Sequence, residues 1–566
     1  MANELKQTAP SARAEWTRQR GEESQHTEEA QHGPLSRALV KLLLRPTVYP
    51  DRPSRVELVE THISWVFLTD RFVYKLKKPV HFDFLDYSTP EARRRACHAE
   101  CELNQRLAPD VYLGVLPVTI EAKGRIVIGG SGRATDWLVK MRRLPAGRML
   151  DELLRKGQLR EAEIEGLANW LARYYHRLSP VFVEAGDYRA AIERHVRGNR
   201  EELLSGRHGL PADLIKRCHA AQLRFLALDK DQFEARVCDG RIVEGHGDLR
   251  LEHVCLDGQP VVFDCVEFNA ELRRVDVADE LAFLAMECER LGNECAGRRI
   301  LEAYRLESHD HFSAALESFY KCYRACVRAK VAALAEEQHA SSGAQGRRLS
   351  LAYLALADRY AAELGPPSVI LVGGLMGSGK STLASLLVER LGSEEVSTDA
   401  VRRDLLGASP RPAAFGEGHY SPELRQHVYN GLLHRAEVLL RARGSVVLDG
   451  TFLKETQRQA AVKLARAAGA VPLVVYCTCP AEVATERIER RAASGTSISE
   501  SRADLYALQQ SAAEPFDGGN ALNVDTTTPL RLQESAVLNE LRSRMLKQRC
   551  GSVRDHFRHG VPGLRY

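Results

Sequence analysis

The residues with the clearest chemical signature form one short stretch, Gly374-Leu-Met-Gly-Ser-Gly-Lys-Ser381. Gly374, Gly379, Lys380 and Ser381 occupy the four fixed positions of the G-x-x-x-x-G-K-S/T phosphate loop, between an apolar β-branched run and an amphipathic stretch. Glycines allow the backbone to curl until consecutive N–H groups and the N-terminus of the next helix point at one polyphosphate. The stretch therefore predicts a nucleotide-binding site.

Each position of this loop has an expected task. Lys380 would reach the β- and γ-phosphates of ATP, and the Ser381 hydroxyl would hold Mg²⁺. The sequence thus predicts ATP and Mg²⁺ as cofactors. The residues expected to contact the nucleotide are Gly374, Gly377, Ser378, Gly379, Lys380, Ser381 and Thr382.

Two carboxylates follow predicted strands after the loop. Asp399 ends the strand pattern 395–399, and Asp449 ends the pattern 445–449. Strands and helices that alternate at this pace predict an open parallel sheet, which carries its chemistry at the carboxyl ends of the strands. Asp449 is expected to support the metal or, alternatively, to cap the next helix.

The order of phosphate loop and acids resembles the small P-loop kinases, a group that includes polynucleotide kinases, zeta toxins and gluconate or shikimate kinases. The segment Ser397-Thr-Asp-Ala-Val-Arg-Arg-Asp404 is similar to their D-x-x-R element. The resemblance implies that Asp399 orients or deprotonates the acceptor hydroxyl. It also implies that Arg402 or Arg403 holds the substrate.

A basic stretch at 484–491 looks like the arginine-bearing lid helix of the same kinases. Arg487 and either Arg490 or Arg491 share one helical face, so two guanidinium groups could close over the transferring phosphate. Arg487 is the first choice for this catalytic role. A basic solvated face explains the same residues, and that alternative stays open.

A second set of chemical residues lies nearer the N-terminus. His246-Gly-Asp248 and the later Asp264 resemble the catalytic loop and metal-binding aspartate of the aminoglycoside phosphotransferase and choline kinase branch of kinase-like enzymes. The resemblance implies that Asp248 is the base and that Asp264 holds Mg²⁺. It also implies that Lys75 contacts the phosphates and that Glu100 is its ion-pair partner.

Three features leave the role of this N-terminal part open. Lys77 faces the same side of its strand as Lys75, because side chains alternate with period two. His253 stands where the family has Asn, although Mg²⁺ prefers oxygen ligands. The first predicted hairpin, around 61–65, has no glycines to cover a phosphate. This part is therefore either a second phosphotransferase or a ligand-binding sensor that regulates ATP hydrolysis.

The composition is that of an ordinary globular protein, with 44% hydrophobic and 27% charged residues in a chain of 566. A net charge of +4 does not demand a polyanionic partner, and no apolar run is long enough to cross a bilayer. The 13 scattered cysteines and the absence of a secretory signal predict a cytoplasmic protein with reduced thiols.

Taken together, the chain resembles bacterial two-domain proteins that join an aminoglycoside phosphotransferase-like domain to a P-loop ATPase or kinase domain, of the kind named AAA family ATPases. The expected fold is an α+β kinase-like domain followed by an α/β P-loop domain with a parallel sheet. The predicted function is ATP-dependent phosphorylation of a hydroxyl on a small molecule; a regulatory ATPase and a nucleic-acid end kinase are the alternatives. The predicted limits are a disordered tail at 1–35, the two domains at 36–363 and 366–545, and a basic tail at 546–566.

Overall fold

The computed structural model describes residues 34–82, 85–121, 125–338, 343–406, 421–493, 503–516 and 521–558. The chain forms two compact units. Unit 1 consists of Met1–Phe182, Gly240–His311 and Val331–Ser350, and unit 2 of Val183–Asp239, Phe312–Lys330 and Leu351–Tyr566. Nearly all of the predicted N-terminal tail lies outside the described residues, as does most of 407–422, a segment in which substrate specificity was expected to lie.

The described residues form 17 strands and 18 α-helices. The strands are β1 (Glu57–Glu60), β2 (Ser64–Leu68), β3 (Phe72–Lys77), β4 (His81–Phe82), β5 (Leu85–Asp86), β6 (Tyr112–Ile120), β7 (Ile126–Ile128), β8 (Arg133–Arg142), β9 (Ile242–Glu244), β10 (Val254–Asp257), β11 (Gln259–Val262), β12 (Arg274–Asp276), β13 (Ser368–Gly373), β14 (Glu394–Ser397), β15 (Val446–Asp449), β16 (Val471–Thr478) and β17 (Ala521–Asp525). The helices are α1 (Pro34–Leu43), α2 (Pro90–Gln105), α3 (Leu150–Arg155), α4 (Glu161–Arg177), α5 (Ala185–Leu203), α6 (Ala212–Leu228), α7 (Lys230–Cys238), α8 (Val277–Arg290), α9 (Glu294–Ser308), α10 (Ala314–Gln338), α11 (Gly343–Glu363), α12 (Lys380–Leu391), α13 (Thr398–Leu406), α14 (Pro422–Arg441), α15 (Glu455–Ala467), α16 (Ala481–Ala493), α17 (Ala503–Ala512) and α18 (Leu530–Arg558).

Unit 1 is built on a six-stranded sheet with the order β1-β2-β3-β8-β6-β7, in which every pair is antiparallel. Alternation along β3 sends Tyr74 and Leu76 into an apolar core with Phe67, and sends the intervening lysines to the opposite face. On that face α2 packs through Cys97 and Cys101. The sheet therefore presents two lysines to a helix that carries a buried glutamate.

Unit 2 contains a five-stranded sheet with the order β14-β15-β13-β16-β17, in which every pair is parallel. All six residues of the central strand β13 are buried, as expected for a β-branched run covered by helices on both faces. The predicted parallel sheet of the P-loop part is thus confirmed. The order places the ends of β14 and β15 next to the loop that follows β13.

Unit 2 also includes three helices, α5 to α7, from the middle of the chain. Arg224 of α6 donates to the Ser445 hydroxyl at 3.1 Å and to the Gly365 carbonyl at 2.9 Å. A Cβ on Gly392, at the end of α12, would lie 3.1 Å from the backbone of Ala220. Helices α5 to α7 therefore belong to the same compact unit as the phosphate loop, although the predicted limits at 363 and 366 place them in the first domain. They do so because they bury their apolar faces on the phosphate-loop part.

The C-terminal segment is helical into the predicted basic tail. Helix α18 continues from Leu530 to Arg558, and Val537 and Leu541 on its first turns are buried against the sheet of unit 2. A helix anchored by this apolar face extends into the basic stretch that begins at 546. Among the described residues no helix combines the length and the apolar character needed to span a membrane.

Candidate functional site

The phosphate loop of unit 2 joins β13 to α12, and its shape depends on glycine. Gly374 and Gly377 have φ of 144° and 77°, values that residues with a Cβ rarely adopt. A Cβ on Gly377 would also lie 2.5 Å from the carbonyl oxygen of Ala484, so α16 packs directly on the loop. The predicted strand, loop and helix are present, and α12 begins at Lys380.

Asp449 ends β15 beside this loop and is only 7% exposed. Burial raises the pKa of Asp449, while the Lys380 ammonium group and a hydrogen bond from Ser381 oppose that shift. Its Oδ1 atom is buried and has no hydrogen-bond partner in the described part of the chain. A buried carboxylate oxygen that lacks a partner, next to a serine hydroxyl, fits a hard cation. Ser381 and Asp449 are therefore suited to hold Mg²⁺.

Asp399 lies in the first turn of α13 rather than at the end of a strand. The predicted strand is two residues too long, because the Ser397 side chain accepts a hydrogen bond from the Ala400 N–H and starts the helix at Thr398. The Asp399 carboxylate raises the pKa of Asp449, so the two acids lie near each other. They share the carboxyl edge of the sheet, as predicted.

One of the two predicted substrate arginines contacts Asp399. Arg402 donates from Nη1 to Asp399 Oδ1 at 2.5 Å, and its side chain is 17% exposed. Arg403 lies on the exposed surface of α13. The structure thus brings Arg402, and not Arg403, to the acid that was predicted to contact the acceptor.

Arg487 lies on α16 and is held against the phosphate loop. It donates to both oxygens of Thr526, at 3.0 Å to the hydroxyl and 2.9 Å to the carbonyl, and its Nη1 is 3.4 Å from the Gly377 carbonyl. Arg490 instead pairs with Glu486 on the surface, whereas the charge of Arg491 acts on Asp449. The structure thus places Arg487 at the loop and Arg490 on the surface.

Thr526 was missed by the sequence reasoning. It follows β17, and its hydroxyl donates to the Ser378 carbonyl of the phosphate loop at 2.8 Å. Thr526 therefore joins Arg487 to the loop. No local pattern in the sequence signals this contact, because the two residues that Thr526 connects are far from it along the chain.

Unit 1 brings together a second cluster of predicted residues, centred on Glu100. Lys75 Nζ lies 2.9 Å from Glu100 Oε1 and 2.6 Å from Asp264 Oδ1. Lys77 Nζ lies 2.5 Å from the other Glu100 oxygen and also contacts Glu267. Both lysines of β3 thus share one buried glutamate.

The two lysines differ in their exposure to solvent. The Lys77 side chain is fully buried, whereas Lys75 is 10% exposed and faces Asp264, which is 37% exposed. Burial works against the charged form of Lys75, but Asp264 and Glu100 prevail and keep its pKa well above the usual value. Lys75 is therefore the lysine that can meet a ligand, and Lys77 is internal.

The backbone of the loop that contains His246 and Asp248 is held by Glu280, a residue that the sequence reasoning missed. Glu280 is buried and accepts from the backbone N–H groups of His246 at 2.9 Å and Gly247 at 2.5 Å. The Tyr175 hydroxyl donates to the same carboxylate at 2.7 Å. Asp276 caps α8 by accepting from the Ala278 N–H at 2.9 Å.

Asp248 is held by two neighbours in the same loop. Arg250 Nε lies 3.0 Å from Asp248 Oδ2, and His253 Nδ1 lies 2.9 Å from the Asp248 carbonyl oxygen. Burial lowers the pKa of His253 to about 4, and the charge of Arg250 adds to this effect. His253 is therefore neutral at physiological pH.

Replacing Lys77 by Met is expected to lower the free energy of unfolding of unit 1 by about 3–5 kcal/mol, because Glu100 and Glu267 would keep buried charge without this partner. The loss should shrink in acid, since Lys77 holds the pKa of Glu267 below its usual value against the effect of burial. The stability that the Lys77–Glu267 pair supplies is fully present above the pKa of Glu267 in the unfolded chain. It disappears as the pH falls through the lower pKa of Glu267 in the folded protein. Tryptophan fluorescence during urea unfolding measures it, because Trp65, Trp137 and Trp170 all lie in unit 1.

The control for this variant is Lys156→Met. Lys156 pairs with Glu152 at 3.4 Å on the surface, where its side chain is 51% exposed, so its removal should change stability by less than about 1 kcal/mol. Equal effects of the two substitutions would contradict the internal role of Lys77.

Sequence comparison relates this chain to one protein family and to several individual proteins. The sequence profile of a family described as AAA domain matches residues 369–516. An uncharacterized protein of Mycobacterium tuberculosis is 32% identical over 486 residues, which are 84% of this chain and 93% of that protein. The shikimate kinase of Chlorobium chlorochromatii is 36% identical over 127 residues, 22% of this chain and 60% of that enzyme.

Among solved structures, a gluconokinase from Sinorhizobium meliloti is 21% identical, with a TM-score of 0.26, and the match covers 33% of this chain and 98% of that one. The kinase-like character of the P-loop part rests on the match to the AAA domain family and on the 36% identity to shikimate kinase. The predicted aminoglycoside phosphotransferase-like fold of the N-terminal part stays a prediction. Within the described ranges no group of three or more His, Cys, Asp or Glu side chains is arranged to hold a metal ion.

Proposed function

The chain belongs to the family of the mycobacterial protein that it matches over 93% of that protein's length, and we propose that its phosphate-loop unit transfers the γ-phosphate of ATP to a hydroxyl group of a small molecule. The predicted class of an ATP-dependent kinase or ATPase is confirmed by the matches to the AAA domain and to shikimate kinase. The proposal goes beyond this class in one respect, because it names a small-molecule hydroxyl as the acceptor of the phosphate.

The observation that carries this proposal is the set of groups around the end of β15. Asp449 has an unpartnered buried oxygen beside Ser381 and Lys380, and a second carboxylate, Asp399, lies near it. An ATPase needs the first three groups to bind MgATP. The additional acid at the open edge of the sheet is what a kinase needs to receive the proton of an acceptor.

The proposed reaction assigns each of these residues one task. The loop N–H groups and Lys380 hold the phosphates, and Ser381 and Asp449 would hold Mg²⁺, which when bound neutralises phosphate charge. Asp399 takes the proton of the acceptor hydroxyl, and the hydroxyl oxygen of the acceptor forms a bond to the γ-phosphorus. The bond from that phosphorus to the β–γ bridging oxygen breaks, and ADP leaves.

Arg402 and Arg487 would position these groups. Arg402 holds the Asp399 carboxylate in one orientation, which fixes where the acceptor hydroxyl can approach. Arg487, tied to Thr526 and to the Gly377 carbonyl, adds positive charge at the phosphate loop. Positioning and charge neutralisation supply most of the catalysis in phosphoryl transfer.

A small acceptor is favoured over a nucleic-acid end. The relative with a named acceptor, shikimate kinase, is named for a small molecule. A net charge of +4 over 566 residues also gives no large excess of cations for binding phosphate backbones.

The test measures transfer of labelled γ-phosphate by the full chain to a panel of hydroxylated metabolites, aminoglycosides and oligonucleotides. We expect a small molecule to raise ADP formation at least about tenfold above the basal rate and to appear as a phosphomonoester. Transfer to oligonucleotides alone, with steep salt dependence, would favour the end kinase. Turnover that no acceptor changes would identify a regulatory ATPase.

The second candidate function concerns unit 1, which we propose binds a phosphate-bearing ligand such as a nucleoside triphosphate. The observation that favours it is the ion pair of Lys75 with Glu100 next to Asp264. Lys75 has the access that a phosphate contact requires, and Asp248 is held nearby in a fixed loop. Nucleotide binding that survives Lys380→Ala and is lost when Lys75→Met is added would support this role; no surviving binding would refute it.

A further inference from the structure

The group of Asp248, His253 and Asp264 in unit 1 includes an arginine, Arg250, at the place where the resemblance to kinase-like enzymes implies a second divalent cation. Those enzymes have Asn at the position of His253 and a metal-binding aspartate at the position of Asp264. Here His253 Nε2 lies 3.6 Å from Asp264 Oδ2, so the two side chains are neighbours as the resemblance implies. Whether they fit a shared metal depends on the state of the histidine ring.

The hydrogen bonds of His253 fix that state. Its Nδ1 atom lies 2.9 Å from the Asp248 carbonyl oxygen, which can only accept, so Nδ1 carries the proton. Its Nε2 atom lies 3.1 Å from Nη2 of Arg250, which can only donate, so Nε2 carries a lone pair. Both ring nitrogens are therefore engaged within the loop.

This arrangement does not fit a metal ligand at His253. A metal bound to a histidine nitrogen lies about 2 Å away along the lone pair, which is the direction that Arg250 Nη2 occupies. The other metal-facing acid is also engaged, because Asp264 Oδ1 is 2.6 Å from Lys75 Nζ. The residues present thus disagree with a site for two divalent ions.

Arg250 instead brings a permanent positive charge to the same place. Its Nε donates to Asp248 Oδ2 at 3.0 Å while Nη2 donates to His253, so the guanidinium bridges the predicted base and the histidine. The Arg250 side chain is 19% exposed and so remains in contact with solvent. A guanidinium has five N–H donors in a rigid fork and binds phosphate through them.

We propose that Arg250 replaces the second divalent cation in unit 1, so that this site takes a phosphate-bearing ligand with at most one divalent ion, at Asp264. The part that concerns the ligand rests on the proposed phosphate-binding role of unit 1. The part that concerns the metal does not, because Arg250 blocks the position at His253 whether or not a ligand is bound.

The test is Mn²⁺ binding to the full chain without nucleotide, followed by electron paramagnetic resonance, in the wild type, Arg250→Gln and Arg250→Lys. We expect Arg250→Gln to bind Mn²⁺ roughly tenfold to hundredfold more tightly than the wild type, with a ¹⁴N coupling from the freed His253 nitrogen. Arg250→Lys should resemble the wild type because it keeps the positive charge. Adding Asp264→Asn to Arg250→Gln should abolish the gain.

A ¹⁴N coupling in the wild-type protein would overturn the proposal directly, even if a variant failed to fold. No gain of Mn²⁺ affinity in a folded Arg250→Gln protein, with native tryptophan fluorescence, would also overturn it. Failure of the ligand role gives a different result: the Lys380→Ala protein would bind no ATP, while the Mn²⁺ difference between Arg250→Gln and Arg250→Lys would persist.

Discussion

Replacing Lys380 by alanine is expected to lower ATP turnover by the full chain roughly 100- to 1000-fold, as the loss of one preorganised charge at a phosphoryl-transfer site does. Lys380 is the first residue of α12, and its charge acts on Asp449 at the end of the neighbouring strand. An ammonium group in this position reaches the β- and γ-phosphates, where no other described lysine of the loop can replace it. ADP release in the presence of Mg²⁺ measures the effect.

The matched control is Lys463→Ala, which removes an exposed lysine from α15 of the same unit and should leave turnover unchanged. A Lys380→Ala protein that retains full ATP turnover would mean that ATP is hydrolysed elsewhere in the chain, and it would contradict the role of the phosphate loop. The same protein isolates the nucleotide binding of unit 1 for the Lys75→Met comparison.

The phosphate-loop part could be predicted from the sequence because its determinants are local. A continuous apolar run gives β13, three glycines with positive φ give the loop, and the lysine and serine follow within two residues. Repeated strand and helix patterns then imply parallel strands, whose carboxyl ends meet at one edge. Asp399 and Asp449 could be placed at that edge without knowing any long-range contact.

The contacts that hold the sites together could not be predicted in this way. Thr526 reaches the phosphate loop from β17, and Glu280 reaches the backbone of His246 from α8. A threonine after a strand and a glutamate in a helix are common features, so neither carries a signal until the chain has folded. The addition of α5 to α7 to unit 2 is hidden for the same reason, since an amphipathic helix does not specify its partner.

The pair of lysines on β3 lies between these two cases. Period-two alternation correctly predicts that Lys75 and Lys77 share a face, but it cannot rank them. The ranking comes from their partners: Lys77 pairs with the buried Glu267, whereas Lys75 pairs with Asp264, which is 37% exposed. Both acids follow β11 and meet the sheet only through the tertiary fold.

Replacing Asp399 by asparagine is expected to lower phosphorylation of the acceptor roughly 100- to 10000-fold, the usual contribution of a general base, while ATP binding stays near the wild-type value. The amide keeps the shape of the side chain but cannot take a proton, and it loses the charge that pairs with Arg402 at 2.5 Å. Isothermal titration with a non-hydrolysable ATP analogue measures the binding, and labelled phosphate transfer measures the reaction.

The control for Asp399→Asn is unusually close. Asp404 lies on the same helix and also pairs with an arginine, Arg435, at 2.9 Å, but it is exposed on the surface. Asp404→Asn should therefore leave transfer unchanged, so the difference between the two variants isolates the proton-accepting position from the general effect of losing a salt bridge.

Equal acceptor phosphorylation by the two variants would contradict the role of Asp399 as base. Loss of basal ATP hydrolysis in Asp399→Asn, without any acceptor, would move this residue from acceptor activation to the orientation of water and would make the unit an ATPase.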